Sequence, residues 1–493
     1  MKGKIILRIA FCVLMMSDLF YAQVPDTLWT KRYDHSSYHS NDVGYSAGQT
    51  LDGSYILASS SWNGTDMDMW IIKTDSIGNP IWQTTWFGLS GGDDEPSCVR
   101  QTFDGGYILT GYTTRTGWGN TDLELIKYSA SGVKEWEKRY GVQGDWMIDF
   151  GTWVEQTPDS GYIITGMHSS PEGIWLIKTD QLGNILWQRT FSEGMSGNCV
   201  RQTSDNGYII SGSSSTGGCL LKTDSLGNRL WVKYLGGSDM QKVFEIQDGY
   251  AILGNKNGDF WLVKTDSFGN LIWEKTYGGS DTENAYAMGL VNDGGYILTG
   301  RTFSFGAGES DLWIVRTDSL GDTLWTKTLG GPYNEWGMAV EQTQDNCYMV
   351  FGYTELGGTG SDDAWLIKLE TDFVGIEETY AVLPNKLFIL QILPNPVGYQ
   401  TQIRYQLFCK SRVNIAIFNI FGEQVAKIVN DEYKDAGSYC ISWLPLDTFG
   451  RRLPAGVYFC RLRVNKDEQT KKIIIVDKTD SGCSYLPKGI KRR

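Results

Sequence analysis

A chain of 493 residues with 41 % hydrophobic residues is not disordered and, lacking Gly-X-Y periodicity, not collagen-like; at ~150 residues per domain it holds about three domains unless repeats stretch one of them. Its 59 glycines, 19 tryptophans and 26 tyrosines against only 12 prolines point to many short strands joined by tight turns. The net charge of −13 is uneven: residues 386–493 carry 18 Lys/Arg against nine Asp/Glu, residues 1–22 three against one, and residues 23–385 hold −24, a body that repels phosphate backbones and argues against a nucleic-acid partner.

Residues 1–22 read as an export signal. Lys2, Lys4 and Arg8 precede or enter the apolar stretch Ile5–Met16, and Ala22 offers a small residue for cleavage. No other run approaches the ~18 apolar residues of a membrane span, so the mature chain is expected to be exported and to lack a transmembrane segment. The nine cysteines show no CxxC and no dense spacing, which indicates neither a zinc site nor a disulfide framework.

Residues 23–371 are dominated by a repeat. One half of the unit reads QT-x-D-G-G-Y-I-L-T-G, with its tyrosine at Tyr55, Tyr107, Tyr162, Tyr208, Tyr250, Tyr296 and Tyr348. The other reads D-x-W-L-I-K-T-D-S-x-G-N-x-x-W-x-K, with a second tryptophan at Trp82, Trp136, Trp187, Trp231, Trp273 and Trp325. Each unit predicts four strands, a to d, for example Glu283–Val291, Gly295–Gly300, Asp311–Thr317 and Thr323–Leu329. Asp-Gly-Gly turns join a to b and Ser-x-Gly-Asn turns join c to d, where Gly and Asn accept positive φ. Strands b and c are apolar at nearly every position, as expected of strands covered on both faces.

Seven such units in tandem predict an all-β, seven-bladed β-propeller, because radial repetition lets each sheet bury its faces on its neighbours. The seventh unit stops after Trp365–Glu370 with no strand d. The missing strand is expected from the other end of the chain, where Asp26–Tyr33 (DTLWTKRY) matches Asp322–Leu329 (DTLWTKTL).

Length variation concentrates in the b–c and d–a loops, which share one face, and variable loops on a rigid scaffold are where function usually sits. His35, Tyr38, His39, Trp62, Trp118, His168 and Trp336 map to these loops and are the candidate ligand-facing residues. The fixed register of the other Trp and Tyr residues assigns them to packing between sheets. Gly64–Asp68, Gly119–Asp122, Gly308–Asp311 and Gly360–Asp363 offer carboxylates to calcium, but they lack the D-x-D-x-D-G order and read as turns. No HExxH, P-loop or Cys/His pairing is present, and no catalytic, cofactor-binding or metal-binding residue is assigned.

After a linker, residues 372–391, the composition changes. Residues 392–476 hold six or seven short alternating segments, which predict a small Ig-like β-sandwich. A basic tail, 477–493, follows. Four motifs occur in order: Leu393-Pro394-Asn395-Pro396; Ile417–Val425 with the turn at Phe421-Gly422-Glu423; Leu453–Tyr458 with Gly456; and Lys471-Lys472-Ile473-Ile474. On these residues the segment resembles the type A C-terminal sorting domain of the type IX secretion system. That resemblance implies a non-catalytic module that engages the type IX machinery and delivers its cargo to the surface or surroundings of a Gram-negative bacterium. The D-x-x-G-x-x-x-W hairpin, as in Asp224–Trp231, is also similar to quinoprotein-like and outer-membrane assembly scaffold propellers, which implies fold alone. The expected function is therefore an exported, non-enzymatic binding or scaffold propeller with an extracellular protein or glycan ligand. The rival is a secreted propeller enzyme acting on glycans, or a quinoprotein-like enzyme.

Overall fold

The computed structural model describes residues 24–35, 41–86, 92–114, 121–141, 147–356, 361–372, 388–393, 397, 401–407, 410–434, 437–448, 450–465 and 467–475. The signal segment, the basic tail, Tyr38, His39, Trp118 and Pro394-Asn395-Pro396 lie outside them. The chain divides into two compact units, 1–374 and 375–493.

Among the described residues the first unit is a succession of seven four-stranded antiparallel sheets. Six of them run a-b-c-d in chain order. The last consists of Glu335–Gln342, Tyr348–Leu356, Ser361–Leu369 and, as its outer strand, Thr27–Tyr33. The N-terminal strand pairs antiparallel with Ser361–Leu369, placing Thr30 opposite Ile367 and Tyr33 opposite Ala364. Each sheet packs on the next, and the inner strand of sheet 1, Asp42–Gln49, packs on all three of the other strands of sheet 7. Strands b and c carry the core: Tyr107–Gly111 and Asp122–Tyr128 are buried throughout. No helix among the described residues is long and apolar enough to cross a membrane.

Three devices repeat around the sheets. The strand-d tryptophan meets the strand-b tyrosine of the following sheet, as in Trp136–Tyr162 (5.9 Å between centroids) and Trp187–Tyr208 (5.8 Å). The strand-a glutamine accepts a backbone N–H from the preceding sheet's a–b turn, as Gln101 does from Leu51 and Gln156 from Phe103. The strand-c lysine is buried against the Thr-x-Asp of its own a–b turn: Lys368 Nζ lies 2.6 Å from Thr343 Oγ1 and 2.9 Å from Asp345. The fifth sheet, with a shorter turn at Ile246–Gly249, departs from this last pattern.

Some details differ from expectation. Gly takes positive φ in both turn types (Gly53, 81°; Gly78, 80°), whereas Asn does so in the a–b turn, at Asn206 and Asn346. In the c–d turn the Asn instead pairs with the leading Asp, whose carboxylate accepts the Asn184 backbone N–H (2.8 Å) and side-chain amide (2.9 Å) on Asp180. Asp372, expected to open the linker, belongs to the propeller. Its carboxylate accepts hydrogen bonds from Tyr348 (2.6 Å), Trp325 Nε1 (2.9 Å) and Arg316 (3.0 Å). The far end of the expected linker is also ordered: Phe388–Leu393 forms a strand paired with Thr401–Leu407.

Among its described residues the second unit contains a three-stranded and a four-stranded antiparallel sheet. One apolar core joins them, with Ile403, Tyr405 and Leu407 from the first sheet and Ile415, Ile417, Cys460, Leu462 and Ile473 from the second.

Candidate functional site

The seven inner strands face one another around a central channel. They are Asp42–Gln49, Asp94–Gln101, Phe150–Gln156, Ser196–Gln202, Asp239–Ile246, Glu283–Leu290 and Glu335–Gln342. Each carries a register shift against its strand b, for example between Gly151 and Trp153 and between Met240 and Lys242. Such a bulge re-aims the following side chains. Beyond it the strands bury one residue between sheets (Val99, Val154, Val200) and turn the next inward. That inward position holds Arg100, Glu155, Arg201, Phe244 and Glu341 in five sheets and glycine, Gly48 or Gly289, in the other two.

A cavity of about 590 Å³ occupies this level, within the ~300–1,000 Å³ of small-molecule sites. It is lined by strand-a residues of every sheet and opens toward the a–b turns at Leu51, Thr102 and Phe103. One of its lining residues is Trp153. Three cations lie over its indole: Arg100 at 4.3 Å, Lys242 at 4.5 Å and Arg201 at 4.9 Å from the ring centroid. Arg201 also lies 4.5 Å over Phe244 and is paired with Glu155 at 2.7 Å. Each cation–π contact contributes about 1–2 kcal/mol when desolvated. Burial, and then the guanidinium groups of Arg100 and Arg201, press the Lys242 ammonium below the ordinary lysine range, against the pull of Cys199 and Cys98. Burial raises the Glu341 carboxyl, although the Gln49 backbone N–H donates to it.

None of the described loop-face candidates lines this cavity. His168 is not in a loop but in the strand Tyr162–Ser169; its ring packs 4.5 Å from Trp175 and its Nδ1 lies 3.1 Å from the Pro171 carbonyl. His35 packs 5.0 Å from Trp70, with Nε2 2.9 Å from Thr85 Oγ1. The two histidines thus pack on separate sheets, His35 on the first and His168 within the third. Trp336, also in a strand rather than a loop, stacks on Tyr353 (4.6 Å, 19°) beneath Arg301. Trp62 ends the strand Tyr55–Trp62 and is exposed. Among the acidic stretches, Asp66 and Asp68 both accept from the Asn63 amide, and Asp311 accepts the Ala307 N–H. Among the described residues no group of three or more His, Cys, Asp and Glu side chains is placed to hold a metal ion. The cavity was legible only as a departure from the repeat: the residue immediately before Gln-Thr changes between Gly, Arg and Glu while the Gln-Thr that follows it stays fixed.

In the second unit the motif residues have structural roles. Gly422 adopts φ 78° in a turn where Asn419 Oδ1 accepts the Phe421 and Glu423 N–H groups at 3.0 Å each. Gly456 begins the strand Gly456–Val464. Tyr458 is buried and donates to the Pro454 carbonyl at 3.1 Å. Lys471 and Lys472 are exposed on the last strand, opposite Cys460 and Phe459.

Residues 391–476 match the family model of the secretion system C-terminal sorting domain. No curated protein sequence matches the chain. Among solved structures it is similar to PorZ, an essential surface component of the type IX secretion system of Porphyromonas gingivalis, at 12 % identity and TM-score 0.41 over 86 % of this chain. The match covers 58 % of that PorZ chain, so this chain spans a little over half its length. It is also similar to a fungal alcohol oxidase of the AA5 family in complex with copper (12 % identity, TM-score 0.50, 92 % of this chain and 100 % of that one). A third is a catalytically inactive virginiamycin B lyase from Staphylococcus aureus (11 %, TM-score 0.45, 69 % and 99 %). At 12 % identity the likeness to the oxidase is one of fold alone. The chain is a β-propeller repeat protein that carries a secretion system C-terminal sorting domain over residues 391–476. Its place is outside the cell or on the surface of a Gram-negative bacterium.

Proposed function

We propose that the protein is an exported, non-enzymatic binding or scaffold propeller, delivered by its sorting domain and presenting a closed ring of seven blades to an extracellular protein or glycan. The observation that carries this reading is the rigid wall of inner strands enclosing a ligand-sized cavity, on a chain that ends in a type IX sorting module. The second unit, two sheets sharing one core, supports an Ig-like sandwich that engages the secretion machinery. The test is a glycan and cell-surface binding array probed with the full secreted chain. Retention without chemical change to the bound species supports the reading. Uniformly negative arrays contradict it, and release of cleaved glycan would assign the protein to the rival enzymatic class.

A further inference from the structure

We infer that the central channel binds a small organic anion, its oxyanion head held by Arg100 and Lys242 beside Trp153 and its apolar body against the inner strands of sheets 6 and 7. This rests on the reading of the chain as a binding protein and names the ligand class of its channel.

The charge on the cavity wall is one-sided. Arg100, Arg201 and Lys242 line it, with Glu341 as the facing carboxylate. Arg201 is matched by Glu155. Arg100 donates to the Val99 carbonyl at 3.1 Å and forms no ion pair among the described residues. Lys242 Nζ has neither a hydrogen bond nor an ion pair among them, its contact being the Trp153 face. An ammonium with three donors and no acceptor is matched best by an anion from outside the fold. A channel serving only to hold the sheets together needs no such cage, since the strand-a glutamines already bridge neighbouring sheets.

The opposite wall sets the rest of the ligand. Ala287, Met288, Gly289, Ala339 and Val340 present small and apolar surface across from the cations, with the Glu341 carboxyl beside them on the same wall. Carboxylates and phosphates with an apolar or aromatic body satisfy both walls, whereas an inorganic ion satisfies one. The surrounding segment, 23–385, holds −24, so a long polyanion is repelled before it reaches the mouth and a small anion is not.

Isothermal titration of the full-length secreted protein with phenyl phosphate and benzoate tests this, with inorganic phosphate and benzyl alcohol as the headgroup-only and body-only probes. The expected result is saturable binding of at least one aromatic anion, at least tenfold tighter than either control. Lys242→Met should weaken it at least tenfold with an unchanged melting temperature. Arg100→Gln is the second variant should Lys242→Met fail to fold. No binding of either aromatic anion, equal binding of inorganic phosphate, or undiminished affinity in both variants overturns the inference. Surface binding retained by Lys242→Met after anion binding is lost would leave the wider binding role standing and detach it from the channel.

Discussion

The indole of Trp29 lies edge-on to the ring of Tyr55, with centroids 6.0 Å apart and planes at 68°. Trp29 is near the beginning of the described chain and Tyr55 is in the second strand of sheet 1, yet the pair has the geometry of Trp82–Tyr107 (5.7 Å, 61°) and Trp325–Tyr348 (5.9 Å, 68°). The N-terminal strand thus serves sheet 1 as every other strand d serves the sheet after it. Gln49 repeats the relationship by accepting the Gln344 N–H at 2.8 Å, and Tyr33 does so by donating to the Gly78 carbonyl at 2.7 Å.

Trp29→Ala should therefore destabilise the whole propeller rather than fray its first strand. The expected loss is about 3 kcal/mol, as for truncation of a packed aromatic. Chemical denaturation followed by tryptophan fluorescence checks it; a single transition moved to lower denaturant is expected, and an unchanged midpoint would show that the contact is idle.

Titration of buried acids gives the propeller a stability optimum on the acid side of neutrality. Burial pushes Glu124 up to about 7, against the pull of Arg139 at 3.3 Å, and burial with neighbouring carboxylates pushes Asp362 and Asp363 up to about 6. A raised carboxyl contributes stability that is complete below its unfolded value near 4.5 and lost as pH rises through about 7. Glu124→Gln should accordingly stabilise the protein at pH 8 by about 2 kcal/mol and change little at pH 5. In the a–b turn the sign reverses. Burial raises Asp104, but bonds from Thr102, Gly106 and Lys127 outweigh it and hold the carboxyl at about 2, so its contribution is lost as pH falls from about 4 to about 2. Melting temperatures of wild type and Glu124→Gln from pH 3 to pH 8 test both limbs.

Two glycines separate backbone strain from packing. Gly53 and Gly183 have φ 81° and 75°, but a Cβ on Gly53 meets nothing within 4 Å, whereas one on Gly183 falls 2.8 Å from both Trp136 and Lys138 of the preceding sheet. Gly53→Ala should cost about 1 kcal/mol and Gly183→Ala about 2–3 kcal/mol. Equal melting temperatures for the two variants would mean that the c–d turn does not press on its neighbour.

Removing residues 391–476 should stop the protein in the periplasm while leaving the propeller folded. Cell fractionation checks the first outcome. Circular dichroism of the purified truncated chain checks the second, and unchanged release into the medium would contradict the sorting role.

What was readable in the sequence was what repeats. The limits of Asp311–Thr317 and Thr323–Leu329, the pairing of Asp26–Tyr33 with the last sheet, and the packing roles of the strand Trp and Tyr residues follow from register, because a fixed spacing fixes which side chains meet, whereas the two strands before them are shifted by one or two residues. What deviates was harder to read. Strand b of sheet 3 runs on through His168 and strand a of sheet 7 includes Trp336, since hairpin arms extend as far as their partners allow, regardless of polarity. Phe388–Leu393 was hidden in an expected linker because its pairing partner, Thr401–Leu407, lies beyond the prolines. The cage on Trp153 assembles residues from sheets 2, 3, 4 and 5, and only ring geometry brings them together.

Closure of the ring by the N-terminal strand is tested most directly by native-state hydrogen exchange of Ala364–Leu369. Successive amides of that strand point alternately to Tyr348–Leu356 and to Thr27–Tyr33. If the first strand completes the last sheet, all of these amides exchange as slowly as those of Leu123–Tyr128 in sheet 2, and removal of residues 24–33 releases every second one. Fast exchange at those alternate positions in the intact protein would show that the outer edge of the last sheet is open and that the ring is not closed.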